Sequence, residues 1–84
     1  MADTQPATIT LNGAVRALAH GETVTHLVSE ATGRSIAADG QAADGKRLGT
    51  AVARNAAVVP RSQWFTTTLT HGDDVEIVTA VQGG

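Results

Sequence analysis

The sequence predicts an α+β fold in which one β-sheet carries a single helix across one face. Three observations predict it: an Asn-Gly hairpin signal near the start, one amphipathic helical stretch, and a β-branched stretch at the end. A chain of 84 residues allows one small domain, which we expect to bury only a little over ~60% of its unfolded surface.

Composition excludes several classes of protein. There is no cysteine, so neither disulfides nor a thiol nucleophile is available. The formal net charge of -2 argues against nucleic-acid binding, which usually needs a basic stripe. No apolar run approaches the ~18 residues of a membrane helix, and the start of the chain lacks the basic and apolar regions of a signal peptide. We therefore expect a cytoplasmic protein that binds neither nucleic acid nor membrane.

The first hairpin follows a polar lead-in at residues 1–6, which we expect to be flexible. Residues 8–11 alternate polar and apolar side chains, as a half-buried strand does. Asn12-Gly13 comes next, and both positions tolerate the positive φ of a type I′ turn. Residues 15–18 are the predicted return strand.

The best-defined element is a helix that begins after Thr23, whose hydroxyl is a candidate N-cap. Gly33 stands where a helix favours a left-handed C-terminal residue. Apolar side chains spaced i, i+3, i+4 and i+7 form one stripe, which comprises Val24, Leu27, Val28 and Ala31. The sequence therefore predicts an ordinary core helix.

Residues 34–47 are poor in large apolar side chains, and Ile36 is the only one among them. Such a segment buries too little surface to offset its ordering entropy, so we expect a mobile loop. The spacing of Asp39 and Asp44 misses the calcium-loop pattern, and no metal site is predicted.

The third and fourth strands are predicted at residues 48–54 and 58–59. Asn55-Ala56 forms the turn between them, and Pro60 ends the fourth strand because proline cannot donate to a sheet ladder.

The last strand follows a turn at residues 71–74, which is rich in residues that accept tight backbone angles. Trp64, before that turn, is expected to fill the core. Alternate residues of the strand share one face, and these are Val75, Ile77, Thr79 and Val81.

Taken together, these elements predict a mixed sheet of four to five strands. Strands one and five lie side by side in parallel if the helix and its connections form the crossover. This is the β-grasp, or ubiquitin-like, arrangement.

The chain ends in Gln82-Gly83-Gly84, directly after the last strand. Glycine, without a Cβ, passes a narrow channel and adopts any φ that the channel demands. A carboxylate becomes an electrophile only when its oxygen is made a good leaving group, so such a tail has to enter another protein's nucleotide site. We interpret the Gly84 carboxylate as the functional group. The alternative, a Gly-Gly end without function, remains open on these residues alone.

Two segments carry a resemblance to a known family. They are Val58-Val59-Pro60-Arg61-Ser62-Gln63-Trp64 and Gly72-Asp73-Asp74-Val75-Glu76-Ile77-Val78-Thr79-Ala80-Val81-Gln82-Gly83-Gly84, supported by Leu11-Asn12-Gly13 and Gly21-Glu22-Thr23-Val24. Together they resemble the ThiS family, the bacterial sulfur carrier proteins of thiamine biosynthesis. Two departures from the family pattern are the long segment at 34–47 and Ala56, where a glycine commonly follows the asparagine.

The resemblance implies a carrier cycle rather than an enzyme. A ThiF-type adenylyltransferase would use ATP to activate the Gly84 carboxylate, with Gly83 and Gln82 needed for entry into its active site. Sulfur from a donor such as a cysteine desulfurase would then leave a thiocarboxylate for the thiazole synthase ThiG. The chain itself would hold no cofactor, metal or catalytic residue, and would be a monomer when free.

Other polar residues give no stronger signal. His20, His26 and His71 lack close pair spacing and are expected on the surface. Arg61 is either a partner contact or an ordinary exposed side chain, and Ser62 has no neighbouring base for a catalytic triad.

Three other functions remain open from the sequence. The chain has the features of a molybdopterin synthase small subunit, of a ubiquitin-like modifier joined to lysines, and of a β-grasp interaction module with an idle tail.

Overall fold

The computed structural model describes residues 6–80, which form five strands and one α-helix. The elements are β1 (Thr8–Leu11), β2 (Ala14–Ala17), α1 (Val24–Thr32), β3 (Thr50–Arg54), β4 (Ala57–Val58) and β5 (Asp74–Thr79), with a 3-10 helix at Arg61–Gln63. The strand order is β2-β1-β5-β3-β4; β1 and β5 are parallel, and the other neighbours are antiparallel. This is the predicted ubiquitin-like β-grasp arrangement, and the prediction is confirmed.

The β1–β2 hairpin has the predicted turn. Asn12 and Gly13 both have positive φ, at 51° and 84°, as a type I′ turn requires. Of the predicted lead-in, only Pro6 belongs to the described residues, so its flexibility stays a prediction.

Helix α1 packs its apolar stripe against the sheet. Val24, Leu27 and Val28 are fully buried, whereas Ala31 in the last turn is exposed. Gly33 ends the helix in the left-handed conformation, and its N–H donates to the Ser29 carbonyl at 2.9 Å. The predicted C-terminal cap is confirmed.

The prediction that the Thr23 hydroxyl caps the helix is wrong, because it makes no capping hydrogen bond. The first helical N–H groups instead use backbone carbonyls from a distant segment. The Val24 N–H donates to the Thr67 carbonyl at 3.1 Å, and the Thr25 N–H donates to the Trp64 carbonyl at 3.3 Å. Backbone carbonyls that are distant in the sequence therefore accept hydrogen bonds at the start of the helix, where the sequence predicts the Thr23 hydroxyl as the acceptor.

The core lies between the helix and one face of the sheet. Its largest member is Trp64, which is 1% exposed, as predicted. The buried apolar side chains are Ile9, Val24, Leu27, Val28, Ala42, Leu48, Val52, Val59, Trp64, Leu69, Val75 and Ile77.

The third and fourth strands are displaced slightly from their predicted bounds. β3 begins at Thr50 rather than at residue 48, and β4 is Ala57–Val58 rather than residues 58–59. Asn55 and Ala56, in the predicted turn between them, have φ values of 51° and 69°.

Residues 34–47 have a hydrogen-bonded conformation. Ile36 and Ala42 form an isolated antiparallel bridge, and Ala42 is buried in the core. The Arg34 guanidinium donates to the Asp44 carboxylate at 3.1 Å and to the Arg47 carbonyl at 3.0 Å. The mobility expected for this segment stays a prediction.

Strand β5 lies in the middle of the sheet, between β1 and β3. Val75 and Ile77 are buried on the face predicted for them, whereas Thr79 on the same face is exposed. Val81 lies outside the described residues. Within residues 6–80, no helix is long and apolar enough to cross a membrane.

Candidate functional site

The candidate site is the end of β5, the last described strand before the terminal segment. The three residues that the sequence marks as functional, Gln82, Gly83 and Gly84, lie outside the described residues. Two positions before Gln82, the Ala80 N–H donates to the Gly49 carbonyl at 2.6 Å. The base of the tail is therefore attached to the segment that leads into β3.

The Arg61 side chain forms hydrogen bonds to the segment that leads into β3. Its guanidinium donates to the carbonyls of Leu48 at 2.9 Å and Thr50 at 3.0 Å, which flank Gly49, and to the Gly40 carbonyl at 2.9 Å. The Arg61 side chain, which follows Pro60, is therefore hydrogen-bonded both to the 34–47 segment and to the start of β3.

The Arg61 guanidinium lies over the Trp64 ring, 4.7 Å from its centroid, which is cation–π geometry. The Trp64 indole N–H donates to the Val59 carbonyl at 3.0 Å. Gly40 closes the other side: a Cβ there would overlap the Arg61 side chain, and its φ of 84° also favours glycine. Of the two alternatives predicted for Arg61, an ordinary exposed side chain is wrong, because it is half-buried and makes these contacts.

An open groove of about 420 Å³ lies beside the strand end. Two cationic side chains, Arg47 and Arg61, line it together with Val78 and Ala80. Thr50 also lines the groove, but its hydroxyl is buried and has no hydrogen-bond partner among the described residues.

The sheet face opposite the helix carries exposed apolar side chains near the strand end, next to the exposed Glu76, which lies opposite Ala53. Val58 and Val78 are 77% and 67% exposed, and the ladder places Ala53 opposite Val58 and Ala51 opposite Val78. We call these four residues the outer patch. A cluster of exposed apolar side chains that adjoins a functional segment is typical of a protein–protein contact.

The Asn12 side chain forms hydrogen bonds to β5 on the side that faces β1, opposite to β3. Its side-chain oxygen accepts the Ile77 N–H at 2.8 Å, and its side-chain N–H donates to the Ile77 carbonyl at 3.3 Å. The amide group therefore replaces one peptide unit of a longer β1.

The three histidines are exposed, as predicted, and one of them joins an ion-pair network. Arg16 on β2 binds both Glu22 and Glu30 at 2.7 Å, and the His26 Nε2 lies 2.9 Å from Glu22. The Arg16 hydrogen bonds lower the pKa of both carboxyls, and the same bonds raise the Arg16 pKa further. A metal ion would have to displace Arg16 from these carboxylates.

Sequence reasoning missed the roles of Arg61, Asn12 and this network. The i, i+4 spacing of Glu22, His26 and Glu30 was visible in the sequence. The contacts of Arg61 and Asn12 are long-range and had no such local signal. Ser62 is exposed in the 3-10 helix.

Comparison with solved structures finds similar chains, among them the following one. The chain is similar to the thiamine biosynthesis protein ThiS from Geobacter metallireducens, with 26% sequence identity and a TM-score of 0.59 over 92% of this chain and 99% of the other. No curated protein sequence matches significantly.

Comparison with protein families gives a match to the ThiS family over residues 9–84. The match covers the described sheet and helix except for Thr8, the first residue of β1, and continues to residue 84. The protein therefore belongs to the ThiS family.

Proposed function

We propose that this protein is a sulfur carrier in thiamine biosynthesis whose carboxyl-terminal Gly84 is adenylylated, thiocarboxylated and then used to donate sulfur for thiazole formation. The observation that carries the proposal is the ThiS family match, which extends through Gly84. The solved relative, named as a thiamine biosynthesis protein, supports the same pathway.

The chemistry needs only a free carboxylate on this chain. A carboxylate oxygen of Gly84 attacks the α-phosphorus of ATP, and pyrophosphate leaves, which gives an acyl-adenylate. When hydrosulfide is the donor, its sulfur attacks the acyl carbon, the bond to the AMP oxygen breaks, and AMP leaves. The product is a thiocarboxylate. These steps occur in partner active sites, so the chain is a co-substrate rather than an enzyme and needs no metal or cofactor of its own.

Three partners follow from this proposal: a ThiF-type adenylyltransferase, the thiazole synthase ThiG, and a sulfur donor such as a cysteine desulfurase. We place the free protein in the cytoplasm as a monomer. The hydrogen bond from the Ala80 N–H to the Gly49 carbonyl supports a carrier role, because a tail that starts from a tethered point reaches a partner's active site at a lower entropic cost.

The outer patch is the surface that we propose for docking the adenylyltransferase. It combines exposed Val58 and Val78 with the small side chains of Ala51 and Ala53, so a partner could approach the sheet closely. It also adjoins the strand end, so a partner seated on it would lie next to the tail.

Intact-mass spectrometry tests the proposal directly. The purified chain is incubated with a ThiF-type enzyme, ATP and sulfide, and we expect the exchange of one oxygen for sulfur at the terminus. A variant that lacks Gly84, and one with an alanine added after it, are the controls and should remain unmodified. An unchanged mass for the parent chain under conditions that modify a known ThiS would contradict the proposal.

The sulfur acceptor separates the pathways. Thiocarboxylated protein should support thiazole formation by ThiG and should not support a molybdopterin synthase large subunit. Isopeptide linkage of Gly84 to lysines in a lysate would favour a modifier instead. If deletion of Gly84 left the cellular role intact, the chain would be an interaction module with an idle tail.

A further inference from the structure

Strand β5 is longer than its parallel neighbour. β1 pairs only with the first part of β5, where Thr10 lies opposite Asp74 and Leu11 lies opposite Val75. The chain then turns away at Asn12-Gly13 into β2. On its other side, β5 remains paired with β3 as far as Thr79. The last part of β5 is therefore paired with β3 on one side, whereas its other side, facing β1, is an open edge among the described residues.

The chain fills the first missing position with a side chain. The Asn12 amide makes both of the hydrogen bonds that a further β1 residue would make to the Ile77 peptide groups. The Asn12 side chain therefore extends the hydrogen-bond ladder between β1 and β5 by one residue, and the ladder ends at Ile77.

Thr79 occupies the next position along this edge. Both main-chain groups of Ile77 face Asn12, whereas the Ala80 N–H faces Gly49 on the other side. Because N–H and C=O groups alternate in direction along a strand, the Thr79 N–H and C=O point to the same side as those of Ile77. Among residues 6–80, neither group has a hydrogen-bond partner on that side.

Proteins commonly protect such an edge with lysine, proline or a bulge. The local sequence Val78-Thr79-Ala80 contains no charge and no proline, and all three side chains are exposed. An open donor–acceptor pair on a twisted sheet edge is the template that an extended peptide uses when it adds to a sheet.

We propose that an extended segment of the adenylyltransferase adds to the β1 side of β5 and pairs its backbone with Thr79. The segment would continue the ladder that the Asn12 side chain ends, and it would lie beside the chain that leads to Gly84. This inference rests on the proposed function, since it names a contact made by the enzyme that activates the tail. It differs from docking on the outer patch, because it uses main-chain groups at the strand edge.

N-methylation of Thr79 tests the pairing, since it removes the donor and keeps the side chain. The variant is assembled by ligating synthetic segments between Ala56 and Ala57, with a cysteine at position 57 converted to alanine afterwards. No described hydrogen bond of the fold uses the Thr79 N–H, so the thermal unfolding midpoint should not change. We expect the KM for this carrier in adenylation to rise about fivefold, the equivalent of one ordinary backbone hydrogen bond, with kcat unchanged.

Two further variants make the result specific. N-methylation of Val15 modifies the outward edge of β2, at the far margin of the sheet, and should leave KM unchanged. Replacement of Thr79 by its α-hydroxy acid removes the N–H without adding a methyl group, and should raise KM like N-methylation.

The outcomes separate the two proposals. If the parent chain is adenylated and both Thr79 variants have the parent KM, the strand addition is wrong while the carrier function stands. If the parent chain is not adenylated at all, the carrier function is wrong. A rise in KM for the N-methyl variant alone would also overturn strand addition, since it would indicate steric crowding only.

Discussion

The Arg54 Nε donates to the Asp73 carboxylate at 2.8 Å and joins the end of β3 to the turn before β5. The same carboxylate accepts the Thr70 N–H at 2.9 Å and the Asn55 side-chain N–H at 3.0 Å. Burial alone would raise the pKa of Asp73, but these three donors together outweigh it, and the pKa is lowered.

We expect Asp73→Asn to destabilise the fold by about 2 kcal/mol at neutral pH, since one of the acceptor oxygens is lost and a donor is left unpaired. Because the folded pKa lies below the ordinary value of 3.8, the ionised carboxylate stabilises the fold fully above that value. The stabilisation is lost as the pH falls through the folded pKa. Denaturant unfolding of parent and variant between pH 7 and pH 3 should show the difference between them shrinking. Asp74→Asn, at an exposed neighbour, should cost less than ~1 kcal/mol, and an equal cost at both sites would refute this account.

Ala56 has a φ of 69°, in the left-handed region where a Cβ costs about 1–2 kcal/mol. Glycine removes this strain but gains freedom in the unfolded chain. We expect Ala56→Gly to stabilise the fold by about 0.5 kcal/mol net, measured by urea unfolding. Ala57→Gly, one residue later in β4, has no such strain to relieve and should destabilise. Stabilisation by both changes, or by neither, would contradict the prediction.

Arg61→Ala should destabilise the fold by about 2–3 kcal/mol, because three carbonyls lose a charged donor and Trp64 loses its stacked cation. Arg61→Lys should recover less than half of this, since an ammonium group lacks the planar fork that reaches several acceptors. Thermal and denaturant unfolding measure both. Arg47→Ala is the matched control: its side chain is exposed and carries the same charge. If Arg47→Ala were as costly as Arg61→Ala, net charge rather than the contacts of Arg61 would be responsible.

Val78→Asp places a charge at the β5 end of the outer patch. We expect kcat/KM for adenylation to fall about tenfold, a typical effect at an apolar interface. Unfolding stability should change by less than ~0.5 kcal/mol, because Val78 is a surface residue. Val15→Asp changes a valine on β2 that is also largely exposed, 75% against 67% for Val78, and should leave adenylation unaffected. Equal losses in both variants would remove the outer patch from the docking surface.

Periodicity and turn chemistry were enough to predict the sheet and the helix. The Asn12-Gly13 turn, the stripe from Val24 to Val28 and the Gly33 cap depend on near neighbours, and all three are confirmed. The parallel position of β5 beside β1 was predicted on the condition that the helix and its connections form the crossover, and it is confirmed.

Long-range contacts could not be predicted in this way. Thr23 has the residue type of a cap, yet carbonyls from residues 64–67 take over that role because the loop packs against the start of the helix. No local pattern in the sequence signals the contacts of Arg61, because its three acceptors lie 11 to 21 positions away in the chain. The chemistry of Gly84 was read from the motif, and its surroundings lie outside the described residues.

The placement of β5 also bears on synthesis of the chain. The strand that joins the two halves of the sheet is the last of the five described strands along the chain, so it is synthesised after the other four, and it supplies Val75 and Ile77 to the core. A polypeptide released early would lack this central strand and would leave β1 and β3 with no partner between them. The sheet can therefore be completed only after β5 has been synthesised, and a copy that stops before β5 would not present the folded sheet to the activating enzyme.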